Sequence, residues 1–282
     1  GAINAVTLAV NAGRFRQGVQ YLLSFWNHAQ VEHIYRADLL GVLSNTTRWI
    51  AGLILSSLGS NRLNQVSLLD NSPLETLLDE TLPYDKIQES IDAGHLHALS
   101  ITASGYTSEQ SVTFYQGVKS IRPWQRARRL GIPARIDARH LQASSAIPFL
   151  FPAVRINREY FGDGSMRQIA PISSALHLGA RRVLVIGVGQ SATEHIKRRR
   201  SYSYPSLAQI AGHALNSIFL DSLELDLERL RRINHTIGLL SEEKRTSTNL
   251  QHIDVLVIQP SEPIEKIAQR YAGSLPLPIR FL

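Results

Sequence analysis

Two stretches of the sequence are apolar at nearly every position, Val183 to Val188 and Ile253 to Ile258. Such runs are typical of strands buried on both faces, as in a parallel sheet covered by helices. Between them, apolar residues recur at helical spacing from Leu207 to Leu230 and predict one long amphipathic helix. Strand, helix and strand in this order form the crossover unit of α/β folds.

Other periodicities add elements in front of this unit. Apolar and polar positions alternate on both sides of Gly105 within residues 95–117, which predicts a β-hairpin. Helical spacing covers residues 1–12, which are small and apolar, then 15–58 and 74–78. Without a repeat or a long linker, the pattern predicts a single α/β domain over residues 1–282.

The composition excludes several kinds of functional site. The chain has 282 residues, 44% of them hydrophobic, and no cysteine, which excludes disulfides, thiolate metal sites and cysteine nucleophiles. The longest apolar run, Trp49 to Leu58, is far shorter than the ~20 residues of a membrane span. It is expected to pack in the core, the alternative being an interfacial lipid contact. We expect a cytoplasmic protein, peripheral at the membrane if it meets one.

The charge is basic and mostly arginine. The formal net charge is +7, with 25 Arg against 5 Lys. One cluster surrounds Trp124 and consists of Arg122, Arg126, Arg128, Arg129, Arg135 and Arg139. A second is the run Lys197 to Arg200. Both suit anionic lipid headgroups or nucleic-acid phosphates, or else are solvated surface. Because nothing resembles a base-reading motif, we expect no nucleic-acid partner.

The sharpest local feature is an aspartate between two glycines, Gly162-Asp163-Gly164, which follows a short apolar piece. Glycines on both sides let the backbone adopt positive φ or approach other atoms closely, so that the carboxylate is presented rather than buried. The alternative is an ordinary turn, since Asp-Gly is a common turn dipeptide.

The surroundings favour a catalytic aspartate. Ala143-Ser-Ser-Ala-Ile-Pro148 precedes Asp163, and Leu178-Gly-Ala180 leads into the first buried strand. The ordered run from Ala143 to Gly189 resembles the patatin-like phospholipase family, in which a DG(G/A/S) motif carries the catalytic Asp. Gly1-Ala-Ile-Asn-Ala5 looks like the last glycine of the family's G-x-S-x-G motif and its continuation.

The resemblance implies a three-layer fold with a largely parallel central sheet flanked by helices. It implies hydrolysis of phospholipid or related acyl-lipid esters by a Ser–Asp dyad, with Asp163 as the base and Gly1, Gly162 and Gly164 supporting the motifs. The nucleophilic Ser is then expected two residues before Gly1, with the first strand and the glycine-rich oxyanion loop further upstream. The 282 residues alone are expected not to hydrolyse esters, and no metal or cofactor is needed.

Competing interpretations are weaker. None of the ten histidines has a recognisable triad setting, and His95-x-His97 is at most half a metal site. Gly187 to Ala192 fits a dinucleotide fingerprint but lacks the helix that should follow. The alternative function is a non-catalytic module that keeps a hydrolase scaffold and docks on anionic membranes through its arginines.

Overall fold

The computed structural model describes residues 1–36, 67, 69–168, 170–187, 207–248, 250–262 and 264–271. These residues divide into two compact units, one ending at Arg167 and the other beginning at Gln168. The helical prediction for residues 37–58, including the apolar run from Trp49, lies outside the described residues. So do the basic run Lys197 to Arg200 and residues 188–192 of the dinucleotide pattern.

The first unit contains five α-helices and six strands in its described part. The helices are α1 (Ala2–Val10), α2 (Phe15–His28), α3 (Ser72–Thr81), α4 (Asp85–Asp92) and α5 (Ala138–Ser145). The strands are β1 (Ala98–Gly105), β2 (Ser111–Gly117), β3 (Trp124–Arg126), β4 (Arg129–Pro133), β5 (Val154–Ile156) and β6 (Glu159–Asp163). Short 3-10 helices cover Ala12–Arg14, Val31–His33 and Gly164–Arg167.

The six strands form one sheet in the order β3-β4-β2-β1-β6-β5. The predicted hairpin is confirmed as β1 and β2, which pair antiparallel from Ala98↔Gly117 to Ser104↔Ser111. The α/β class is also confirmed, but this sheet differs from the largely parallel one expected. Only the β2–β4 pairing is parallel, because tight turns connect three of the other pairs and β6 joins β1 antiparallel.

Helices pack on one face of this sheet and form the core of the first unit. Alternate residues of β1, namely Leu99, Ile101 and Ala103, are buried there among apolar side chains of the neighbouring helices and strands. The buried helix residues are Val6, Ala9, Val10, Leu74, Leu78, Ile87, Ile91, Ala138, Leu141 and Ala143. Helix α1, predicted from its small and apolar residues, contributes Val6, Ala9 and Val10 to this core.

A charged cluster fixes the beginning of α5. Asp137 is its N-cap, and Nδ1 of the buried His140 lies 2.6 Å from Asp137 Oδ1. Arg139 donates from Nε to Oδ2 of the same carboxylate over 3.0 Å. Burial alone would raise the Asp137 pKa, but hydrogen bonds and charges from His140 and Arg139 outweigh it and lower the pKa far below its usual range. The imidazole also packs edge-on against Phe114, with ring centroids 4.8 Å apart.

The second unit contains α6 (Ser173–His177), β7 (Arg182–Ile186), α7 (Leu207–Leu239), α8 (Glu242–Thr246), β8 (Asp254–Ile258) and α9 (Ile264–Tyr271). Strands β7 and β8 pair in parallel, from Arg182↔Asp254 to Ile186↔Ile258, on either side of α7 in the chain. The predicted strand–helix–strand order is therefore confirmed.

Leu227 and Leu230 of α7 pack with Ile253 and with the inner side chains of both strands. Asn234 makes a reciprocal pair with Ile253, accepting from its N–H at 3.1 Å and donating to its carbonyl at 2.8 Å. The sequence predicted that both faces of these strands would be covered, but the face away from α7 is exposed. Its residues Leu184, Ile186, Leu256 and Ile258 are all exposed.

The Asp137 cluster gives a stability prediction. Asp137→Asn is expected to lower the free energy of unfolding by about 1–3 kcal/mol at pH 7, because buried His140 loses a charge-assisted partner. The folded-state pKa of Asp137 is depressed, so this stability is present above the unfolded-state value of about 4 and is lost progressively below it. Urea unfolding at pH 7 and pH 3 measures both effects, with Asp92→Asn, at an exposed position of α4, as the control. A deficit that stays constant between the two pH values would contradict the assignment.

Candidate active site

Asp163 is the last residue of β6, and the 3-10 helix Gly164–Arg167 follows it at once. Across the sheet it pairs with Ala103 of β1, on the face that carries the helices. Its backbone N–H donates to the carbonyl of Ala146, the residue after α5, over 2.9 Å. The Ala143–Pro148 segment and the Asp-Gly motif, which the family resemblance connects, are therefore in direct contact.

The two flanking glycines are required for space rather than for backbone conformation. Neither Gly162 nor Gly164 has a φ in the left-handed region, so the positive φ that the sequence suggested is not used. A Cβ added to Gly164 would lie 2.1 Å from the backbone oxygen of Thr102. A Cβ on Gly162 would meet the phenol oxygen of Tyr106 at 2.6 Å. Close approach, the other reason for glycine, explains both positions.

The carboxylate of Asp163 is oriented through one of its oxygens. Oδ1 accepts from the backbone N–H of Ser165 at 2.8 Å and also from the Ser165 hydroxyl. Both hydrogen bonds that the described part of the chain makes to this carboxylate end on Oδ1. The residue is only half-buried, and Oδ2 accepts no hydrogen bond from the described residues.

The beginning of α1 lies within electrostatic reach of Asp163. Gly1 is exposed as a residue, yet burial of its amino nitrogen lowers the α-amino pKa, and the negative charge of Asp163 acts in the opposite direction. The pKa of the Tyr106 hydroxyl is raised, first by burial and then by the same carboxylate. Gly1, Tyr106 and Asp163 therefore share one neighbourhood, although they lie far apart in the sequence.

Sequence reasoning missed two residues of this neighbourhood. Ser165 occupies the last position of the DG(G/A/S) pattern, which was the available signal. Tyr106 lies in the turn between β1 and β2, where its N–H donates to the Tyr160 carbonyl over 3.0 Å, and no local pattern marks it. Beyond this neighbourhood, Phe149 follows the Ala143–Pro148 segment, and it is 70% exposed with a left-handed φ of 69°, a strained conformation for an aromatic residue.

His95 and His177 each make a local structural contact. His95 packs its ring against Gly13, where an added Cβ would lie 2.8 Å from the imidazole Cδ2. His177 ends α6, and its Nδ1 lies 2.7 Å from the Ser173 carbonyl oxygen. Within the described ranges, no group of three or more His, Asp or Glu side chains has the geometry to hold a metal ion.

The fold is of the α/β class, and its candidate site centres on the half-buried carboxylate of Asp163. Residues 1–176 match the family of patatin-like phospholipases, and the chain belongs to that family. No curated protein and no solved structure matches the chain. Membership confirms the resemblance found in the sequence and makes the protein a lipid acyl hydrolase by class. The match ends at residue 176, before β7, whereas the sequence resemblance extended to Gly189.

Among the helices in the described part of the chain, none is both long enough and apolar enough to cross a bilayer.

The glycine contacts give a prediction on stability. Gly164→Ala is expected to cost about 3 kcal/mol or more, because the new methyl meets backbone that cannot move away. Gly162→Ala is expected to cost less than about 1.5 kcal/mol, because it meets only the end of the exposed Tyr106 side chain, which can rotate. Chemical denaturation of both variants measures the two costs. Equal losses of stability would show that the contact with Thr102 is not the constraint.

Proposed function

We propose that the protein hydrolyses carboxylic esters of phospholipids or related acyl lipids by a Ser–Asp dyad in which Asp163 is the base. The nucleophile is the serine of G-x-S-x-G, two residues before Gly1, and Gly1 is the last glycine of that motif. The observation that carries the proposal is the Asp163 carboxylate, oriented by Ser165 and Ala146 within the family match, with the beginning of α1 in its electrostatic neighbourhood. A serine hydroxyl attached just ahead of α1 would therefore lie close to the carboxylate.

The proposed chemistry needs a base in hydrogen-bond reach, because a serine hydroxyl is a weak nucleophile. Oδ2 of Asp163 takes the hydroxyl proton as the serine oxygen attacks the ester carbonyl. The tetrahedral intermediate collapses, and the protonated carboxyl returns the proton to the leaving alcohol. In the second half, Asp163 takes a proton from water, the hydroxide attacks the acyl-enzyme, and the fatty acid leaves as serine regains its proton.

The surrounding contacts support different roles for the two carboxylate oxygens, with Oδ1 held in place and Oδ2 taking the proton. Ser165 holds Oδ1 with its N–H and its hydroxyl. The backbone of Asp163 is held in turn by Ala146. A base whose orientation is fixed before substrate binds loses less entropy in the transition state.

The dyad is tested in a chain extended upstream through the G-x-S-x-G motif. Asp163→Asn should reduce turnover of a p-nitrophenyl ester by about 10²–10⁴-fold, the usual value of general-base help. Asp92→Asn, an exposed change of the same kind, should keep the parent rate. Thermal melts establish that both variants fold.

Two outcomes would contradict the proposal. An undiminished rate in Asp163→Asn would remove this carboxylate from the mechanism. No turnover by the extended parent chain, on p-nitrophenyl or phospholipid esters, would favour the non-catalytic membrane module. The 282-residue chain is expected to show no turnover above background, and appreciable activity would mean that the nucleophile lies within it.

Ser165 gives a separate prediction in the extended chain. Ser165→Ala should lower kcat about tenfold with little change in KM, since it loosens the base without touching substrate. Ser165→Thr, which keeps a hydroxyl, should restore most of kcat. Steady-state kinetics measure the two constants, and a change confined to KM would instead indicate a role in substrate binding.

A further inference from the structure

Two tight turns of the sheet present arginines to solvent. Strands β3 and β4 are joined by a two-residue loop between Arg126 and Arg129, with Arg128 in it at a left-handed φ of 56°. Strands β5 and β6 are joined in the same way through Asn157 and Arg158. Because two-residue hairpin loops have few accessible conformations, these arginines are held in place at little entropic cost.

Both turns leave the sheet beyond the end of β1 that is nearer to Asp163, although Asp163 itself ends β6 at the side away from the β5–β6 turn. Register pairing places Gly162, Ser104, Ser111, Arg129 and Arg126 in one row across five strands. Asp163 belongs to the adjacent row. With neighbouring strands about 4.8 Å apart, Arg129 lies roughly 14 Å and Arg126 roughly 19 Å from the strand of Asp163. We call this end, with Arg126, Arg128, Arg129 and Arg158, the basic end.

Two other arginines of the sequence cluster form ion pairs instead. Arg135 pairs with Asp85, and Arg139 pairs with Asp137. Trp124 stacks on Tyr115 with centroids 5.2 Å apart and so does not project outward among the arginines. The cluster that looked uniform in the sequence is thus divided by the fold.

Positive charge at the basic end is not neutralised locally. None of its four arginines forms an ion pair with a carboxylate within the part of the chain that the structure describes. The carboxylates near the adjoining turn are engaged elsewhere. Glu109 lies 3.6 Å from Arg167, and Glu159 accepts from the backbone N–H of Thr107 at 2.9 Å.

Two tyrosines lie at the same end of the sheet, Tyr106 in the β1–β2 turn and Tyr160 near the beginning of β6. Tyr106 is 46% exposed and Tyr160 is 41% exposed, and the backbone hydrogen bond between them holds both at this end of the sheet. Tyrosine is enriched where protein meets the headgroup layer of a bilayer, because its ring is apolar and its hydroxyl is polar. Exposed tyrosines beside arginines therefore favour a lipid-contacting surface over an ordinary solvated one.

We propose that the basic end docks on a bilayer containing anionic phospholipid and turns the Asp163 end of the sheet toward it. The inference rests on the proposed function only for the identity of the substrate, and docking itself is measured without catalysis. A surface roughly 24 Å wide, from β3 to β5, would make contact. Its arginines would neutralise lipid phosphate and carboxylate groups, and esters would be drawn from the same leaflet.

The test is vesicle co-sedimentation of the 282-residue chain at about 0.1 M salt. Vesicles of phosphatidylcholine with 30% phosphatidylserine should bind it, and pure phosphatidylcholine vesicles should bind it far less. The variant R126Q/R128Q/R158Q should bind anionic vesicles about a hundredfold more weakly, at roughly fivefold per arginine. R181Q/R182Q/R231Q removes three exposed arginines of the second unit and should keep wild-type binding. Thermal melts confirm that both variants fold.

Three results would overturn the proposal: equal binding to both vesicle types, equal loss in the two triple variants, or tight binding to duplex RNA with none to vesicles. In the upstream-extended chain, the basic-end variant should lose hydrolysis of vesicle lipid while keeping turnover of a soluble p-nitrophenyl ester. If that chain proves inactive on both, the proposed function fails, whereas the binding comparison still decides whether the basic end docks.

Discussion

The approach of Gly164 to the backbone oxygen of Thr102 is the constraint on which the site depends. No side chain fits between them, so the chain after Asp163 must leave the sheet at that point and in one direction. The hydrogen bond from Asp163 N–H to Ala146 then fixes the end of α5 against the same residue. The position of the carboxylate is thus set by backbone contacts, which are less easily altered than side-chain packing.

Elements that carry their own periodicity were predictable. The β1–β2 hairpin, strands β7 and β8 and the long helix all follow from alternating, continuous or helical apolar patterns. The mixed six-stranded sheet was not predictable, because the parallel β2–β4 pairing and the place of β6 beside β1 join distant segments without any local signal. A parallel sheet was the simpler expectation from two apolar strands separated by a helix.

The site shows the same division. Asp163 and its glycines could be found from the sequence because the motif Gly162-Asp163-Gly164 reflects the lack of space for side chains on either side of the aspartate. Tyr106 could not, since a tyrosine in a polar turn is common and only the fold brings it to Gly162. The sequence also could not predict which arginines form ion pairs and which do not. Net charge describes the chain as a whole, whereas local pairing with Asp85 and Asp137 decides which cations are left to act on a partner.

Strands β3 and β5, which border the described six-stranded sheet, are each only three residues long. A short border offers few unpaired backbone groups to a strand from a second copy. Charged residues on both borders, Arg126 and Arg155, oppose such addition further. The sheet can therefore hold its tyrosines exposed to solvent without adding a strand from another molecule, the usual first step of aggregation.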